Sequence, residues 1–398
     1  MNIIIHRGTH QIGGSVTEIN TETSRIFIDF GAELPDMDGN IPSSSLTIDG
    51  LTTGARNCDG VFFTHYHGDH VGQMDEILPD IPIYMGYATK EILLAYLRRM
   101  GKDIKEYQSH IKTFKPKDRI KAGDIIITPF YVDHSAYDAY MFLVEADGKR
   151  VLHTGDFRTH GFKGKGVIRT LERYVGQVDA LIIEGTNLGR KNQKVLSESE
   201  LSQKARELIR QYKYVFVICA STNIDRLAAF YAATPLKGKY FICDDYQKEI
   251  LDIVSAYGAP HSDLFDFEKV HTYGKNLEQK MKNQGFVMVV RNNRMFQRIM
   301  REYKEEHNTE SLVIYSMWEG YLKQENNGLA SLMEEFQNLS KLHTSGHATR
   351  EAIIDVCDTV QPRQAIIPIH TDSPELLHSL GLTHPVRCLG DGEAFTIQ

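Results

Sequence analysis

The chain has 398 residues, of which 41% are hydrophobic and 24% are charged, and this is enough for two domains with separate hydrophobic cores. The formal net charge of −7 is weak evidence against a nucleic-acid-binding protein, although a metal centre or a local basic wall would still attract phosphate. The sequence contains no apolar stretch long enough for a membrane span, no signal-peptide pattern over residues 1–7 and no C-x-x-C pair among its five cysteines. We therefore expect a cytoplasmic protein with free thiols and no membrane partner.

The first half of the chain is predicted to consist of β-strands separated by turns and short helices. Strand candidates lie at residues 3–5, 24–30, 61–64, 125–128, 139–145, 150–153 and 181–183. Several of these strands lead into a residue that can carry chemistry, namely Asp29, His65, Asp156 and Glu184. Functional groups are commonly placed on loops at strand ends, where a rigid sheet holds them.

The strongest signal in the sequence is the segment 64–70, which reads T-H-Y-H-G-D-H and follows an apolar run. Neutral imidazole nitrogens and carboxylate oxygens are preferred ligands of zinc-like divalent cations. His65 and His67 can point to one side of an extended segment, and a turn at the glycine would bring Asp69 and His70 back towards them. The alternative, a polar histidine-rich loop without a metal, is the weaker interpretation. The segment therefore predicts a metalloprotein.

Three later residues could complete the coordination of two cations by this segment. Each pair of ligands within it needs at least one further protein ligand and a water molecule. His134, Asp156 and His370 are candidates because each follows a predicted strand, and Asp156 could bridge two metals. Taken singly, each histidine is more often an ordinary core or surface residue, and Asp156 after Gly155 could be a turn residue.

From residue 197 the pattern changes to alternating helices and strands. The sequence S-E-S-E at 197–200 predicts a capping box for a helix to about residue 211, and a second helix is predicted over 223–233. Strands are predicted over 214–220, 240–243, 286–290 and 311–315, which indicates a parallel sheet covered by helices.

The last part of the chain returns to histidine-rich chemistry. A helix is predicted over 348–360 and a strand over 365–369, which leads into His370. We therefore expect an α/β domain at 196–343 that is inserted into a metal-binding domain made of 1–195 and 344–398.

The metal-binding pattern resembles the metallo-β-lactamase superfamily. The superfamily pattern matches H-x-H-x-D-H at 65–70, followed by His134, Asp156 and His370, and Asp29 matches a supporting aspartate in its first motif. This resemblance implies an αββα sandwich. A redox di-iron relative is disfavoured, because that branch generally has glutamate where this chain has His67.

Further motifs resemble the β-CASP branch of nucleic-acid hydrolases within this superfamily. Glu184 matches its motif A, His347 in H-T-S-G-H matches motif B, and His370 in I-P-I-H matches motif C. The segment A-S-T-N-I-D-R at 220–226 is similar to bacterial ribonuclease J proteins. By this resemblance the inserted α/β domain is a β-CASP domain. Ribonuclease J proteins typically carry a further carboxy-terminal domain and Gly-Glu after motif C, where this chain has Thr371-Asp372, so we expect a compact relative without that domain.

The resemblance implies a metal-dependent phosphodiester hydrolase that acts on nucleic acid, most simply a ribonuclease of RNA processing or decay. A hydroxide activated by two divalent metal ions, with zinc as the default and manganese possible, would attack phosphorus. The implied metal ligands are His65, His67, Asp69, His70, His134, Asp156 and His370. The implied catalytic residues are Asp69, which could orient the nucleophile, His347 as acid or charge stabiliser, and Glu184 as a hydrogen-bond partner that orients a ligand imidazole.

Candidate contacts to the RNA or single-stranded substrate come from two places in the sequence. His343 and Ser345 could bind phosphate, although turn chemistry around Gly346 explains them equally well. A basic series with helical spacing, with Phe296 and Tyr303 nearby, could bind a nucleic-acid backbone. Its members are Arg291, Arg294, Arg298 and Arg301, with Lys304 close behind, and the first three are the candidate substrate contacts. A solvated basic helix face is an equal alternative for that series.

Two other classes of function stay open. A small-molecule hydrolase of thioesters or lactones could use the same metal centre, but such enzymes do not usually carry a large insertion or the H-T-S-G-H motif. A non-catalytic scaffold of an RNA-processing complex would be expected to have lost ligands, whereas this chain retains them. The sequence does not distinguish RNA from DNA or internal from terminal cleavage, and a homo-oligomer is possible but not readable from it.

Overall fold

The computed structural model of the chain describes residues 1–35, 45–190, 195–323 and 328–398. These residues form two compact units. The first unit contains 1–35, 45–190 and 346–398, and the second contains 195–323 and 328–345. The domain boundaries expected from the sequence, between residues 195 and 196 and between residues 343 and 344, remain predictions. Within the described residues, no helix has both the length and the apolarity that crossing a bilayer requires.

Residues 1–190 contribute most of the first unit as short strands joined by turns and helices. The strands are β1 (Asn2–Arg7), β2 (Val16–Asn20), β3 (Arg25–Ile28), β4 (Gly60–Phe62), β5 (Ile83–Gly86), β6 (Ile111–Phe114), β7 (Ile120–Ala122), β8 (Ile125–Tyr131), β9 (Tyr140–Ala146), β10 (Lys149–His153) and β11 (Ala180–Glu184). The helices are α1 (Gly68–Val71), α2 (Tyr87–Arg99), α3 (Ile104–His110) and α4 (Lys165–Thr170).

The second unit alternates helices and strands, as the sequence predicts. Its strands are β12 (Tyr214–Ile218), β13 (Tyr240–Cys243), β14 (Val270–Thr272), β15 (Phe286–Val290), β16 (Ser311–Tyr315) and β17 (Leu339–Lys341). Its helices are α5 (Glu198–Gln211), α6 (Ile224–Ala233), α7 (Asp245–Gly258), α8 (Lys275–Gln284), α9 (Arg294–His307) and α10 (Gly328–Glu334). The closing segment of the first unit adds α11 (Arg350–Val360), β18 (Ala365–Ile369) and β19 (Ala394–Thr396).

Two mixed sheets pack face to face in the first unit. Within the described residues, one sheet has the strand order β19-β1-β2-β3-β4-β5-β6 and the other has the order β18-β11-β10-β9-β8-β7. Alternate residues such as Ile26 and Ile28 on β3 contribute to the core between the sheets, together with Ile182 and Ile367 from the other sheet. Phe27, which points to the opposite face of β3, is also fully buried. Because α2 contacts β5 and β6 while α11 contacts β11, the arrangement is the expected αββα sandwich.

The second unit is built on one parallel sheet. Within the described part of the chain its strand order is β14-β13-β15-β12-β16-β17, and every neighbouring pair is parallel. The strands β12, β15 and β16 are fully buried along their length. Continuous burial on both faces is what a parallel sheet covered by helices requires, and it explains the uninterrupted apolar runs in the sequence. The α/β architecture of this unit is therefore confirmed.

The basic series predicted from the sequence does not lie on one helix face with exposed aromatic rings. Arg294 and Arg298 lie on the exposed face of α9, but Arg291 precedes the helix. Phe296 and Tyr303, suggested as stacking aromatics, are 1% and 3% exposed and belong to the hydrophobic core of the second unit. Their helical spacing with the arginines reflects an amphipathic helix whose apolar stripe faces the sheet.

Candidate metal centre

The candidate ligands lie at the carboxyl ends of strands that run in the same direction. In one sheet β3 and β4 are parallel, and they lead into Asp29 and the segment 64–70. In the other sheet β10, β11 and β18 are parallel, and they lead into Asp156, Glu184 and His370. Since parallel strands end at one edge of a sheet, residues from distant parts of the sequence meet there.

Asp29 holds the segment 64–70 in place beneath the cluster. Its carboxylate is fully buried and accepts hydrogen bonds from the Thr64 backbone N–H (2.8 Å), the Thr64 hydroxyl (2.8 Å) and Nδ1 of His70 (2.7 Å). Asp29 itself has a left-handed backbone conformation (φ 60°). A β-carbon on Gly31 would lie 1.7 Å from the Asp69 carbonyl oxygen, so only glycine lets the two segments approach this closely.

A first group of donors contains His65, His67 and His134. Nε2 of His65 lies 3.1 Å from Nδ1 of His67, which lies 3.4 Å from Nε2 of His134. One nitrogen from each of the three residues lies within 4.8 Å of the other two. Three imidazole nitrogens at these separations match the protein ligands of a zinc site that keeps one position open.

A second set of donors lies beside the first and contains Asp69, His70, Asp156 and His370. Nε2 of His370 lies 3.2 Å from Asp69 Oδ2, and Nε2 of His70 lies 3.2 Å from Asp156 Oδ2. Two overlapping groups of close donors include these residues: Asp69, His70 and His370, and His65, His70 and Asp156. Asp156 thus lies among donors of both sets, as a bridging ligand would.

The hydrogen bonds on the outer nitrogens fix which imidazole atoms can bind a cation. Nδ1 of His134 lies 2.7 Å from the Gly346 carbonyl oxygen, which can only accept, so Nδ1 carries the hydrogen. In the same way Nδ1 of His70 donates to Asp29, and Nδ1 of His370 lies 2.8 Å from the Thr186 hydroxyl. With Nδ1 of each ring engaged outside the cluster, Nε2 is the nitrogen that faces the other donors in His134, His70 and His370.

Burial and charge in the cluster also fit divalent cations. Nε2 of His70 is buried and makes no hydrogen bond in the described structure. Burial and the neighbouring imidazoles hold the pKa of His65 well below its ordinary value, and burial lowers the pKa of His67 to about 4. Although burial opposes its ionisation, the imidazoles of His370 and His70 hold the pKa of Asp156 well below its usual range. Although burial opposes its protonation, the carboxylates of Asp156, Asp29 and Asp69 raise the pKa of His70 well above its ordinary value. Because metal ligation requires neutral imidazoles and ionised carboxylates, a cation bound here would displace a proton from His70.

Glu184 and His347 lie next to the second set of donors. The Glu184 carboxylate is fully buried, accepts backbone N–H groups of Phe157 (3.1 Å), Thr186 (3.2 Å) and Ala348 (3.1 Å), and lies 3.3 Å from Nδ1 of His347. Burial alone would lower the pKa of His347, but the carboxylates of Glu184 and Asp156 raise it. The imidazole that contacts the Glu184 carboxylate is thus that of His347, which is not one of the seven predicted metal ligands, and the role of Glu184 remains a prediction. Asp156, Glu184, His347 and His370 also form a group of close donors.

A buried ion pair links two of the ligand loops, and the sequence did not reveal it. Arg158 and Asp133 are both fully buried, with Nε of Arg158 3.6 Å from Oδ1 of Asp133. The backbone N–H of Arg158 also donates to the Asp133 carbonyl (2.7 Å). Because Asp133 precedes His134 and Arg158 follows Asp156 by two residues, this pair holds the two ligand loops together. The other missed residue is Thr186, whose hydroxyl contacts His370 and, at 3.2 Å, His347.

The predicted substrate contacts lie in the second unit or on its surface. Nδ1 of His343 lies 3.3 Å from Nη1 of Arg226, a buried side chain that makes a two-pronged ion pair with Glu198 (3.0 Å for each hydrogen bond). Ser345 is half-buried in the same segment. The arginines of the basic series differ: Arg291 pairs with Asp244, Arg298 lies 3.8 Å from Glu302 at the surface, and Arg294 is exposed. Their roles remain predictions.

Two family models match the chain. Residues 42–214 match the model described as the beta-lactamase superfamily domain. Residues 337–378 match the model described as the Zn-dependent metallo-hydrolase RNA specificity domain. The first match contains the histidine-rich segment, His134, Asp156 and Glu184, and the second contains His343, His347 and His370.

Curated relatives of the chain include several ribonucleases J. Ribonuclease J of Sinorhizobium meliloti is 26% identical over 236 residues, which is 57% of this chain and 40% of that protein. Ribonuclease J of Helicobacter pylori is 25% identical over 285 residues, which is 68% of this chain and 40% of that protein. The chain thus matches about 40% of the length of these relatives. Among solved structures, a protein of unknown function from Enterococcus faecalis V583 covers 99% of both chains with a TM-score of 0.75 and 20% identity, which indicates a shared fold.

Proposed function

Since the chain belongs to the metallo-β-lactamase superfamily and carries its RNA specificity domain, we propose that it is a ribonuclease that hydrolyses phosphodiesters with two divalent metal ions. The observation that carries this proposal is the convergence of the first donor group with Asp69, His70, Asp156 and His370 at one edge of the sandwich. The relatives named ribonuclease J support RNA as the substrate.

The proposed metal ligands are the seven residues named from the sequence, and the donor set fits the group they would hold. The two overlapping sets of donors support two cations, with zinc favoured by the imidazole-rich first group and manganese possible at the carboxylate-rich second one. When bound, the cations supply Lewis acidity that makes water acidic and offsets phosphate charge.

The chain's own residues supply orientation and proton transfer. Asp69, whose carboxylate lies 3.2 Å from Nε2 of His370, would hold the attacking water in line with phosphorus. Glu184 keeps His347 oriented and raises its pKa, which favours the protonated imidazole that can donate a proton to the leaving oxygen. Neither His347 nor Glu184 belongs to the first donor group. Proton donation by His347 is therefore compatible with a cation bound by that group.

The decisive test incubates the metal-loaded protein with end-labelled RNA whose 5′ end carries a triphosphate, a monophosphate or a hydroxyl. We expect phosphodiester cleavage, and the product lengths give the polarity and the end preference. His347→Ala is expected to reduce kcat by about two to four orders of magnitude, the usual contribution of general acid–base catalysis. Metal content, measured by elemental analysis, is expected to change little if His347 acts as an acid.

The matched control is His261→Ala, which removes an exposed histidine of the second unit and should leave cleavage unchanged. Loss of bound metal together with activity in His347→Ala would instead identify His347 as a ligand, in line with its place in a group of close donors. Turnover of a thioester or lactone with no cleavage of any polynucleotide would refute the proposal and favour a small-molecule hydrolase.

A further inference from the structure

The second unit contains a small cavity at the carboxyl ends of three neighbouring parallel strands. Its volume is about 250 Å³. It is lined where β12, β15 and β16 end, by residues that include Ile218, Cys219 and Ala220 from the first strand and its loop. In open parallel α/β sheets, this edge is where ligands usually bind. None of the residues proposed to bind metal or to carry out the reaction lines the cavity.

The walls of this cavity are mostly apolar. Ile218, Val290 and Tyr315 are among its lining residues and are at most 2% exposed to solvent. Burial raises the pKa of the Cys219 thiol to about 12, so the thiol stays neutral and unreactive there. The volume is below the range of about 300–1,000 Å³ that is typical of pockets for drug-sized ligands. The occupant that fits is therefore a single small ring system rather than a dinucleotide.

The charge around the cavity disfavours binding of a phosphate group inside it. Arg291 lines the cavity, but its guanidinium is ion-paired with Asp244 and donates a hydrogen bond to the Ser221 hydroxyl (2.6 Å). Its positive charge is therefore largely balanced by the Asp244 carboxylate. The other lining side chains with polar groups are Asn292, whose amide can both donate and accept hydrogen bonds, the hydroxyl-bearing Tyr315 and Tyr321, and the neutral thiol of Cys219.

Exposed aromatic rings adjoin the same cavity. Tyr321 is part of its lining and is 40% exposed, and its ring packs edge-on against Trp318, which is 42% exposed, with centroids 5.4 Å apart. Trp318 is tied to the cavity wall because its carbonyl accepts a hydrogen bond from the Tyr315 hydroxyl (2.9 Å). Solvent-accessible aromatic rings beside a mostly apolar slot are the features with which proteins stack nucleic-acid bases.

We propose that this cavity, bounded by Ala220, Asn292 and Tyr321, binds one unstacked nucleobase of the substrate. The identification of the bound ring as a base of a polynucleotide rests on the proposed function. The proposal differs from the arginine contacts predicted from the sequence because it assigns an uncharged base rather than a phosphate to this part of the second unit, where Arg291 is ion-paired with Asp244.

The experiment uses Trp318, the only tryptophan of the chain, as a built-in reporter. The full-length protein is titrated with adenosine, uridine and, for comparison, inorganic phosphate, while tryptophan fluorescence is recorded. Saturable quenching by a nucleoside, without a response to phosphate, is expected. Ala220→Phe, which places a ring inside the cavity, should weaken nucleoside binding about tenfold or more, and Tyr321→Ala should also weaken it.

The matched control is Ala232→Phe, which adds the same ring at an exposed position of α6 and should bind nucleosides normally. Thermal melting by circular dichroism checks that the variants fold, and the exposed site of Tyr321 makes Tyr321→Ala the safer of the two. Absence of quenching by either nucleoside, or affinities unchanged in both variants, would overturn the proposal. Tighter binding of N-acetylphenylalaninamide than of nucleosides would also overturn it, because the site would then take a protein side chain.

RNA cleavage by the same variants separates this proposal from the proposed function. Ala220→Phe is expected to raise KM for RNA about tenfold while kcat is retained. If RNA is cleaved by the wild-type protein but nucleosides do not bind, the base-binding proposal fails and the proposed function stands. If nucleosides bind in the cavity and no polynucleotide is cleaved, the cavity assignment stands as a nucleoside site and the proposed function fails.

Discussion

Three candidate ligand imidazoles, those of His134, His70 and His370, make a contact through Nδ1, the ring nitrogen that faces away from the cluster. The partners are different in kind: a backbone carbonyl for His134, a carboxylate for His70 and a hydroxyl for His370. Such contacts fix the tautomer and the ring orientation, and their loss typically lowers metal affinity by one to two orders of magnitude. Substitution of these partner residues therefore tests metal binding at the site without removing a ligand.

Thr186→Val is expected to lower the affinity for the second cation about tenfold or more. The substitution keeps the side-chain shape but removes the hydroxyl that lies 2.8 Å from Nδ1 of His370 and donates to the His370 carbonyl (3.2 Å). Isothermal titration of the metal-free protein with zinc or manganese measures the affinity of each site. The control is Thr359→Val on α11, whose hydroxyl bonds only to the Asp355 carbonyl among the contacts described, and it should bind metal normally. Equal affinities in the two variants would contradict a positioning role for Thr186.

The sequence indicated the candidate ligands more readily than the residues that support them. Segment 64–70 is visible because it concentrates four donor residues in six positions, whereas Thr186 bonds to a residue 184 positions away and is an ordinary threonine in the sequence. Asp133 and Arg158 were missed for the same reason, because their buried ion pair forms only in the folded chain and no local sequence pattern indicates it. Glu184 was predicted on resemblance to orient a ligand imidazole, and the geometry assigns its hydrogen bond to His347.

Among the elements, helix α5 has an N-terminus that both the sequence and the structure define. The Ser197 hydroxyl accepts from the Glu200 backbone N–H (3.2 Å), and the Glu200 carboxylate accepts from the Ser197 backbone N–H (2.8 Å). Ser197→Ala is expected to lower the free energy of unfolding by about 1 kcal/mol, because one N-terminal donor loses its partner. Urea unfolding monitored by circular dichroism measures the change. Ser199→Ala, an exposed site two residues on, should be neutral, and an equal loss there would refute the capping argument.

Strands β1, β2 and β3 are linked by a buried carboxylate whose ionisation contributes to stability. Glu18 is 3% exposed, lies 2.8 Å from Nε2 of His6 and accepts from Nη2 of Arg25 at 2.7 Å. Although burial opposes its ionisation, these hydrogen bonds lower the pKa of Glu18 from an ordinary value of 4.5 to about 2. A carboxyl whose pKa is lower in the folded state stabilises fully above its unfolded pKa, and this contribution is lost as the pH falls through the folded pKa.

We therefore expect Glu18→Gln to cost about 2–3 kcal/mol at neutral pH, with the difference from the wild type shrinking between pH 4.5 and pH 2. Urea unfolding at a series of pH values measures it. The control is Glu22→Gln in the neighbouring turn, whose exposed side chain should contribute little at any pH. A difference that grows as the pH falls would show that the sign of the argument is wrong.

Continuous burial made several strands predictable, although β2 was missed despite being almost fully buried. The runs that form β13, β15, β16 and β18 were predicted with the observed bounds, since a strand buried on both faces is apolar throughout. Strands β6 and β7 were missed because they are short and expose residues such as Lys112 and Lys121. The buried positions of Phe296 and Tyr303 show the complementary limit, since helical spacing alone does not say which face meets the core.

At the scale of the whole chain, the candidate metal centre joins segments that are far apart in sequence. Asp69 and Nε2 of His370 lie 3.2 Å apart although 301 positions separate the residues. A cation held between such segments closes long loops of the unfolded chain, which are the loops whose closure costs the most entropy. Binding to the folded state alone then stabilises it by an amount set by the ligand concentration relative to Kd.

Removal of the metal is accordingly expected to destabilise the first unit selectively. At a free metal concentration about a thousandfold above Kd, chelation should remove about 4 kcal/mol of stabilisation. Hydrogen–deuterium exchange with and without a chelator measures the effect at each amide. Protection should fall at residues 62–71, 132–134, 154–158 and 369–371, while amides of β12, β15 and β16 in the second unit keep theirs and serve as the internal control. A uniform loss of protection over both units would show that the metal acts on global stability, and no change would mean that these donors do not hold a cation.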